Sequence, residues 1–485
     1  MKIYLSLIIL ITLLLIFANN VLSNHSLCWD VPDPMNLFHQ IQKPCPMVKS
    51  SDINSKRAPV NGSDMFIISF SCSVENENPE LCQKVKSAFD MAGQIITSEI
   101  KLTTPLVVNA TFIDFCKTIG ICRSGTRLTL GGAGPARLSL EQDQRIYPQP
   151  LLKQLVNENH TEFSQFDINA QFNSEEDYWF EGDGPIKPNQ SDFLFVILHE
   201  LIHGLGFASG WGDYSEILGI QNIITPMPLF LTETDTGQVI FAGFRELIFD
   251  KFMVILPDGT RVSDINAELN KFSGVGTRYA SMNDFLSYFI STFPSSPQYS
   301  IAQRMMNIST TPKSLGILSL NKTDVKDAFI LETSLIPFLP KSSISHCDYA
   351  TYTKSSDFLM RYLQDPGVSL KKSIRLGGNY AGGPIGPKLA ETLTLMGYQN
   401  QSLPNPFKQL PDEKEIESNQ STASYKLILS IVIFFLFNQH KERSNYYETN
   451  SKSDLNTLFF SAFPMHLENH AVSSIYQSIK YEALF

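Results

Sequence analysis

Basic residues are few in this chain and never gather. Lys and Arg total 38 against 48 Asp and Glu, a formal net charge of -10, and the positive charges fall singly along the sequence. A phosphate backbone draws on clustered positive charge, so nucleic acid is excluded as a partner. The glycine run Leu130-Gly131-Gly132-Ala133-Gly134-Pro135 lacks the Lys-Ser/Thr that grips a nucleotide and has no clear helix behind it, so it is read as a glycine turn. Histidine is scarce too, nine in 485 residues, so histidines recurring at short spacing stand out. With 43% apolar and 18% charged residues, a disordered chain is excluded and one large or two moderate domains are expected.

Long apolar runs are also lacking. The first, Leu5 to Ala18, stops at Asn19 and Asn20, short of the roughly 20 residues that span a bilayer. Followed by the small residues near Val21-Leu22-Ser23, it reads as a signal peptide over residues 1–23, with a retained anchor helix as the alternative. Nine Asn-x-Ser/Thr sequons, at Asn24, Asn61, Asn109, Asn159, Asn189, Asn307, Asn321, Asn400 and Asn419, are glycan acceptors wherever they reach the surface of a secreted chain. None follows the second apolar run at 427–437. That run is read either as a membrane anchor, within 425–438, or as a short buried helix. Six of the seven cysteines lie in the first quarter. In an oxidising compartment, sequence neighbours can pair as Cys28 with Cys45, Cys72 with Cys82 and Cys116 with Cys122, although six cysteines allow many other connectivities. Cys347 is left over.

A leader with few structural signals (24–63) precedes a strand at 65–70, a helix with apolar residues at helical spacing over 80–100, and a strand at 105–112. Phe166 to Phe172 alternates polar with apolar residues as a half-buried strand does, and is placed at a sheet edge able to pair with an extended peptide. The order opens a mixed α/β or α+β domain, read as α+β over 64–400. A Pro-rich linker (401–424), the apolar run and a tail (439–485) follow.

The chemistry lies in His199-Glu200-Leu201-Ile202-His203. Asp192 caps a helix whose apolar start marks it as buried. One turn apart on the same face, His199 and His203 can bind one metal ion, and two buried histidines beside a buried glutamate are costly unless something satisfies them. Glu200 is placed to move protons between water and a leaving amine. The glycines at 204 and 206 let the helix end in a left-handed turn.

At these residues the chain resembles the metzincin peptidases, whose motif is His-Glu-x-x-His-x-x-Gly-x-x-His, with one departure: position 209 is serine. The only histidine between His203 and His440 is His346, followed by Met360 at the place of a Met-turn. A third histidine supplied after a long insertion is the arrangement of leishmanolysin-like peptidases. The likeness runs in blocks over about residues 160–400, leaving 210–330 unmatched. It implies a two-lobed zincin fold, a twisted mixed sheet with an active-site helix in an upper lobe (about 64–206) and a less regular lower lobe (about 207–400). It also implies one catalytic zinc ion on His199, His203 and His346, with Tyr362 as a candidate oxyanion donor and Asp348 either orienting His346 or ending a strand. The implied activity is hydrolysis of protein or peptide substrates outside the cell or at its surface. The rival reading is a zincin-fold adhesion protein without turnover; a zinc hydrolase acting on other bonds is a third. Residues 24–63 are weighed as an inhibitory propeptide, with Cys28 or Cys45 as zinc-blocking thiolates or as disulfide partners. The Ser209 hydroxyl has no role in this reading, and its loss is expected to be tolerated.

Overall fold

A computed structural model describes residues 25–401 apart from 36–38, 50–64, 123–128, 156–158 and 233–235. Residues 1–23, Asn24, Asn61, Asn419, most of the linker, the apolar run at 427–437 and the tail lie outside the described residues. Among the described residues no helix is long and apolar enough to cross a membrane.

The chain is α+β. Strand β1 (His25–Asp30) and strand β2 (Ile41–Lys49) form an antiparallel hairpin. Strand β3 (Phe66–Cys72), helix α1 (Pro79–Glu99) and strand β4 (Leu106–Ile113) then follow close to the expected bounds. Asn78 caps α1 by accepting from Leu81 N at 3.1 Å, and Pro79 occupies the first turn, where no amide donor is needed. The helix buries Val85, Phe89, Ala92, Ile95 and Ile96, the apolar spacing that marked it in the sequence.

Strands β5 (Gly131–Pro135), β6 (Arg137–Leu140), β7 (Ile146–Pro148), β8 (Asn159–Thr161) and β9 (Ile168–Asn173) complete two sheets. The central one has the order β3-β4-β9-β5. Its first three strands are parallel, with Phe172 opposite Phe112, and β5 closes it antiparallel, with Ala133 opposite Ala170.

Two expectations change here. The glycine run is a strand, not a turn, and the segment near 166–173 is an interior strand, with β5 at the edge. All five residues of β5 are buried, so no polar-apolar alternation marks it. Its glycines serve close approach: a Cβ on Gly131 would lie 2.6 Å from Phe172 Cδ1, and one on Gly132 would collide with Met35 Sδ.

The leader is likewise built into the fold. Strand β1 pairs with β6, giving a second sheet of order β7-β6-β1-β2-β8. Three disulfides join Cys28 to Cys45, Cys72 to Cys82 and Cys116 to Cys122, the sequence-neighbour pairing, in keeping with an oxidising compartment. Cys28 and Cys45 are bonded to each other, so neither supplies a zinc-blocking thiolate. Cys347 is free and buried.

Helix α2 (Phe193–Gly204) carries the histidine motif and is buried except at Leu194. Asp192 caps it, accepting from Leu194 N at 3.0 Å and Phe195 N at 3.3 Å, and its other oxygen accepts from Leu370 N at 2.8 Å. Phe193 anchors the first turn among Phe112, Phe172, Tyr178 and Phe180, with ring centroids 4.6 to 5.9 Å away. At the other end Gly204 lets α2 approach β9, since a Cβ there would lie 2.6 Å from Ile168 Cγ2. Gly206 then turns the chain at φ 106°, a left-handed conformation open to glycine. The unmatched residues after 210 pack around phenylalanines, among them Phe241, Phe244, Phe272, Phe285, Phe289 and Phe293.

Gly204→Ala tests the helix-sheet spacing. Alanine gains about 1 kcal/mol of helix propensity over glycine, but overpacking against a buried β-branched side chain costs about 1–3 kcal/mol. Chemical denaturation is therefore expected to show net destabilisation despite the better helix former.

Candidate metal centre

Three imidazoles from two distant parts of the chain meet at the end of α2. The Nε2 atoms of His199, His203 and His346 lie 3.1 Å from one another in all three pairs. Each Nδ1 faces a backbone carbonyl: His199 that of Leu359 at 2.8 Å, His203 that of Phe207 at 2.6 Å, and His346 that of Ser342 at 3.0 Å. A carbonyl only accepts, so each Nδ1 carries the proton of the neutral ring and each Nε2 is left with a bare lone pair. Burial keeps the rings neutral, pushing His199 down to about 3, His203 to about 4 and His346 well below its ordinary value.

Three lone pairs converging in a buried place repel one another unless a cation lies between them. Nitrogens on a tetrahedral zinc, at about 2.0–2.1 Å from the ion, lie about 3.3 Å apart, close to the spacing here. The donor set therefore fits zinc, and the three carbonyls are the outer partners that fix tautomer and ring orientation in such sites.

Glu200 sits beside the triad. One carboxylate oxygen accepts from Ala133 N at 3.1 Å, tying α2 to the edge strand β5. The other is buried without a protein hydrogen-bond partner. Burial pushes this carboxyl up to about 8, against the lowering pull of the Ala133 N–H. Glu200 and His203 line a cavity, together with Gly132 and Ala133 of β5 and with Ser209 and Trp211.

Met360 is fully buried in the turn that follows His346. That turn braces two of the histidines: Leu359 O accepts from His199 Nδ1, and Met360 O accepts from Cys347 N at 2.8 Å, beside His346. Asp348 does not hold the His346 ring. It caps the short helix Tyr349–Tyr352, accepting from Thr351 N at 2.8 Å. Tyr362 is buried against Tyr349, ring centroids 5.6 Å apart, and is not among the residues lining the cavity. Of the sequon asparagines, Asn189, Asn307, Asn321 and Asn400 are exposed. Asn109 lies in interior strand β4, its side-chain amide donating to Asn169 Oδ1 at 3.0 Å, and Asn159 begins β8.

Sequence reasoning missed Asp250. It lies within the unmatched insertion and is fully buried, accepting from Ser209 Oγ at 2.7 Å and from the amides of Gly210 and Leu247 at 2.9 Å each. Ser209 also donates its amide to Ser345 Oγ at 3.1 Å, next to His346, and accepts from Trp211 N at 3.1 Å. Ser209 thus clasps the exit of α2 to the insertion and to the segment that carries His346. No periodicity in the sequence signals such a clasp.

A family model described as SPBPB7E8-like matches residues 33–412. The chain is 28% identical over 378 residues to an uncharacterized protein, PB7E8.01, of the fission yeast Schizosaccharomyces pombe, an alignment covering 72% of this chain and 64% of that one. No solved structure matches.

Two predictions follow from this geometry. His346→Ala is expected to abolish zinc binding as fully as His203→Ala, since either leaves two protein ligands; metal analysis of the purified variants decides it, and retained zinc in His346→Ala would exclude the three-histidine site. Contrary to the sequence expectation, Ser209→Ala is expected to destabilise the fold by about 1–3 kcal/mol, because it strips a donor from a buried carboxylate. Equilibrium unfolding measures it.

Proposed function

We propose that this chain, which belongs to the SPBPB7E8-like family, is a zinc-dependent endopeptidase of the secretory route, built as a two-lobed zincin. The observation that carries the reading is the convergence of three Nε2 lone pairs at 3.1 Å beside a buried carboxylate with an unpartnered oxygen. His199, His203 and His346 would hold the ion, leaving a fourth position open as catalytic zinc sites do. Bound zinc supplies Lewis acidity, polarising a scissile carbonyl and lowering the pKa of water.

The protein's own groups supply the rest. The unpartnered Glu200 oxygen accepts a proton from the attacking water and returns it to the departing amine. A carboxyl with a raised pKa is suited to both halves of that exchange. Edge strand β5 offers backbone to an extended substrate, which would add to the sheet by main-chain hydrogen bonds. Its glycines leave room for that approach. Three disulfides and exposed sequons support passage through an oxidising compartment.

Glu200→Gln tests the mechanism. The amide keeps the size of the side chain but cannot move protons, so zinc content is expected to stay at the parent level while cleavage of a general protein substrate is lost. Full activity in this variant would remove Glu200 from the chemistry. The compartment is tested separately: glycosidase treatment of the protein from its native cells is expected to lower its apparent mass.

A further inference from the structure

The cavity over Glu200 and His203 has two lips that meet. One is the turn at Pro34–Met35, which follows β1. The other is Pro340–Lys341, five residues ahead of His346 at its nearer end. The Lys341 ammonium donates to the Met35 carbonyl, so the lips are joined by a hydrogen bond across the mouth.

Both lips are held in place. Val31 donates its amide to Ala136 O at 2.9 Å and accepts from Asn169 Nδ2 at 2.8 Å, fixing the chain to the strands behind it. Met35 N donates to Asp33 Oδ1 at 2.8 Å, and the Met35 side chain lies over Gly132, where any Cβ would displace it. The disulfide between Cys28 and Cys45 secures the hairpin behind this turn. On the opposite lip Lys341 is held at φ 71°, a backbone conformation that side-chain-bearing residues rarely adopt. Burial pushes its ammonium below the ordinary lysine value, with Asp33 acting against that.

We propose that Met35 and Lys341 form a strap across the mouth of the metal cleft and determine which substrates enter it. The strap admits a flexible, extended polypeptide segment with small or apolar side chains when the Lys341–Met35 contact parts. It excludes loops of folded proteins. The cavity walls favour this class: Gly132, Ala133, Ala208, Gly212 and Trp211 offer little to a charged side chain. The identity of the substrate rests on the peptidase reading; the strap itself does not.

The test uses the zinc-loaded full chain and two variants that open the strap from opposite sides. Lys341→Met keeps the aliphatic stem but removes the donor. Gly132→Ala places a methyl where Met35 sits. Zinc removal by dipicolinate is expected to be several-fold faster in both variants, while Lys341→Arg, which keeps a donor, stays near the parent rate. The variants are also expected to narrow the ratio of kcat/KM for an unfolded protein over a folded one carrying the same cleavage sequence. Parent-like stripping rates in both opened variants would overturn the strap. Faster stripping without peptide cleavage by the parent or any variant would uphold the strap and overturn the peptidase reading.

Discussion

Three hydrogen bonds from imidazole Nδ1 atoms to backbone carbonyls organise this molecule around its centre. Each fixes one ring in the tautomer that presents a lone pair inward. The carbonyls belong to the exit of the motif helix at Phe207, the methionine turn at Leu359 and the turn before the distant ligand at Ser342. A change in any of these backbones rotates a ring or frees its tautomer, and the convergence at 3.1 Å is lost. Much of the surrounding fold can be understood as holding these carbonyls still. Gly206 turns the chain so that Phe207 faces back on His203, and the Met360 carbonyl pins the strand-like residue after His346. Glu332 works from the other side: its amide donates to the His346 carbonyl at 2.8 Å, and its carboxylate accepts from Tyr349 N at 3.0 Å.

The long insertion belongs to the same arrangement. When a third ligand lies six residues beyond the second, the helix exit itself can position it. Here the third histidine of the cluster is His346, and something must tie that loop to the helix. Ser209 does so through Asp250 and Ser345. The cost is a fully buried carboxylate whose pKa burial raises to about 7, with the nearby Glu246 adding to the rise. Three donors to Asp250 offset it. The Ser209 hydroxyl has thereby become the join between two segments that a compact motif would not need.

The clustering of three histidines was legible in the sequence because scarcity and spacing did the selecting. Two histidines one turn apart on an apolar helix, and a single histidine between His203 and His440, left little choice among nine. Helix α1 and strands β3 and β4 were equally plain, since one-sided burial imprints its period on the residues. Strand β5 was not legible: it is buried on both faces, carries three glycines, and owes its conformation to neighbours far away in sequence. That omission also misplaced the sheet edge, which moved from β9 to β5. The hairpin of β1 and β2 was hidden for a related reason, because a Pro-rich stretch pairs with β6 only once the central sheet exists. Asp348 shows a limit of another kind. Its distance from His346 suited an orienting role, but capping the next helix satisfied it locally.

The edge strand is where these corrections acquire chemical meaning. A strand of glycine, alanine and proline has almost no side-chain surface, so what it offers to its open side is backbone and space. One backbone amide, that of Ala133, is held by Glu200, which couples the position of the strand to the carboxylate beside the three histidines. The space is partly filled by Met35, which lies on Gly132 because nothing else projects there. The same absence of side chains that leaves space beside the three histidines therefore lets the turn after β1 approach the strand. A bulkier edge strand would block that approach, but it would also narrow the groove.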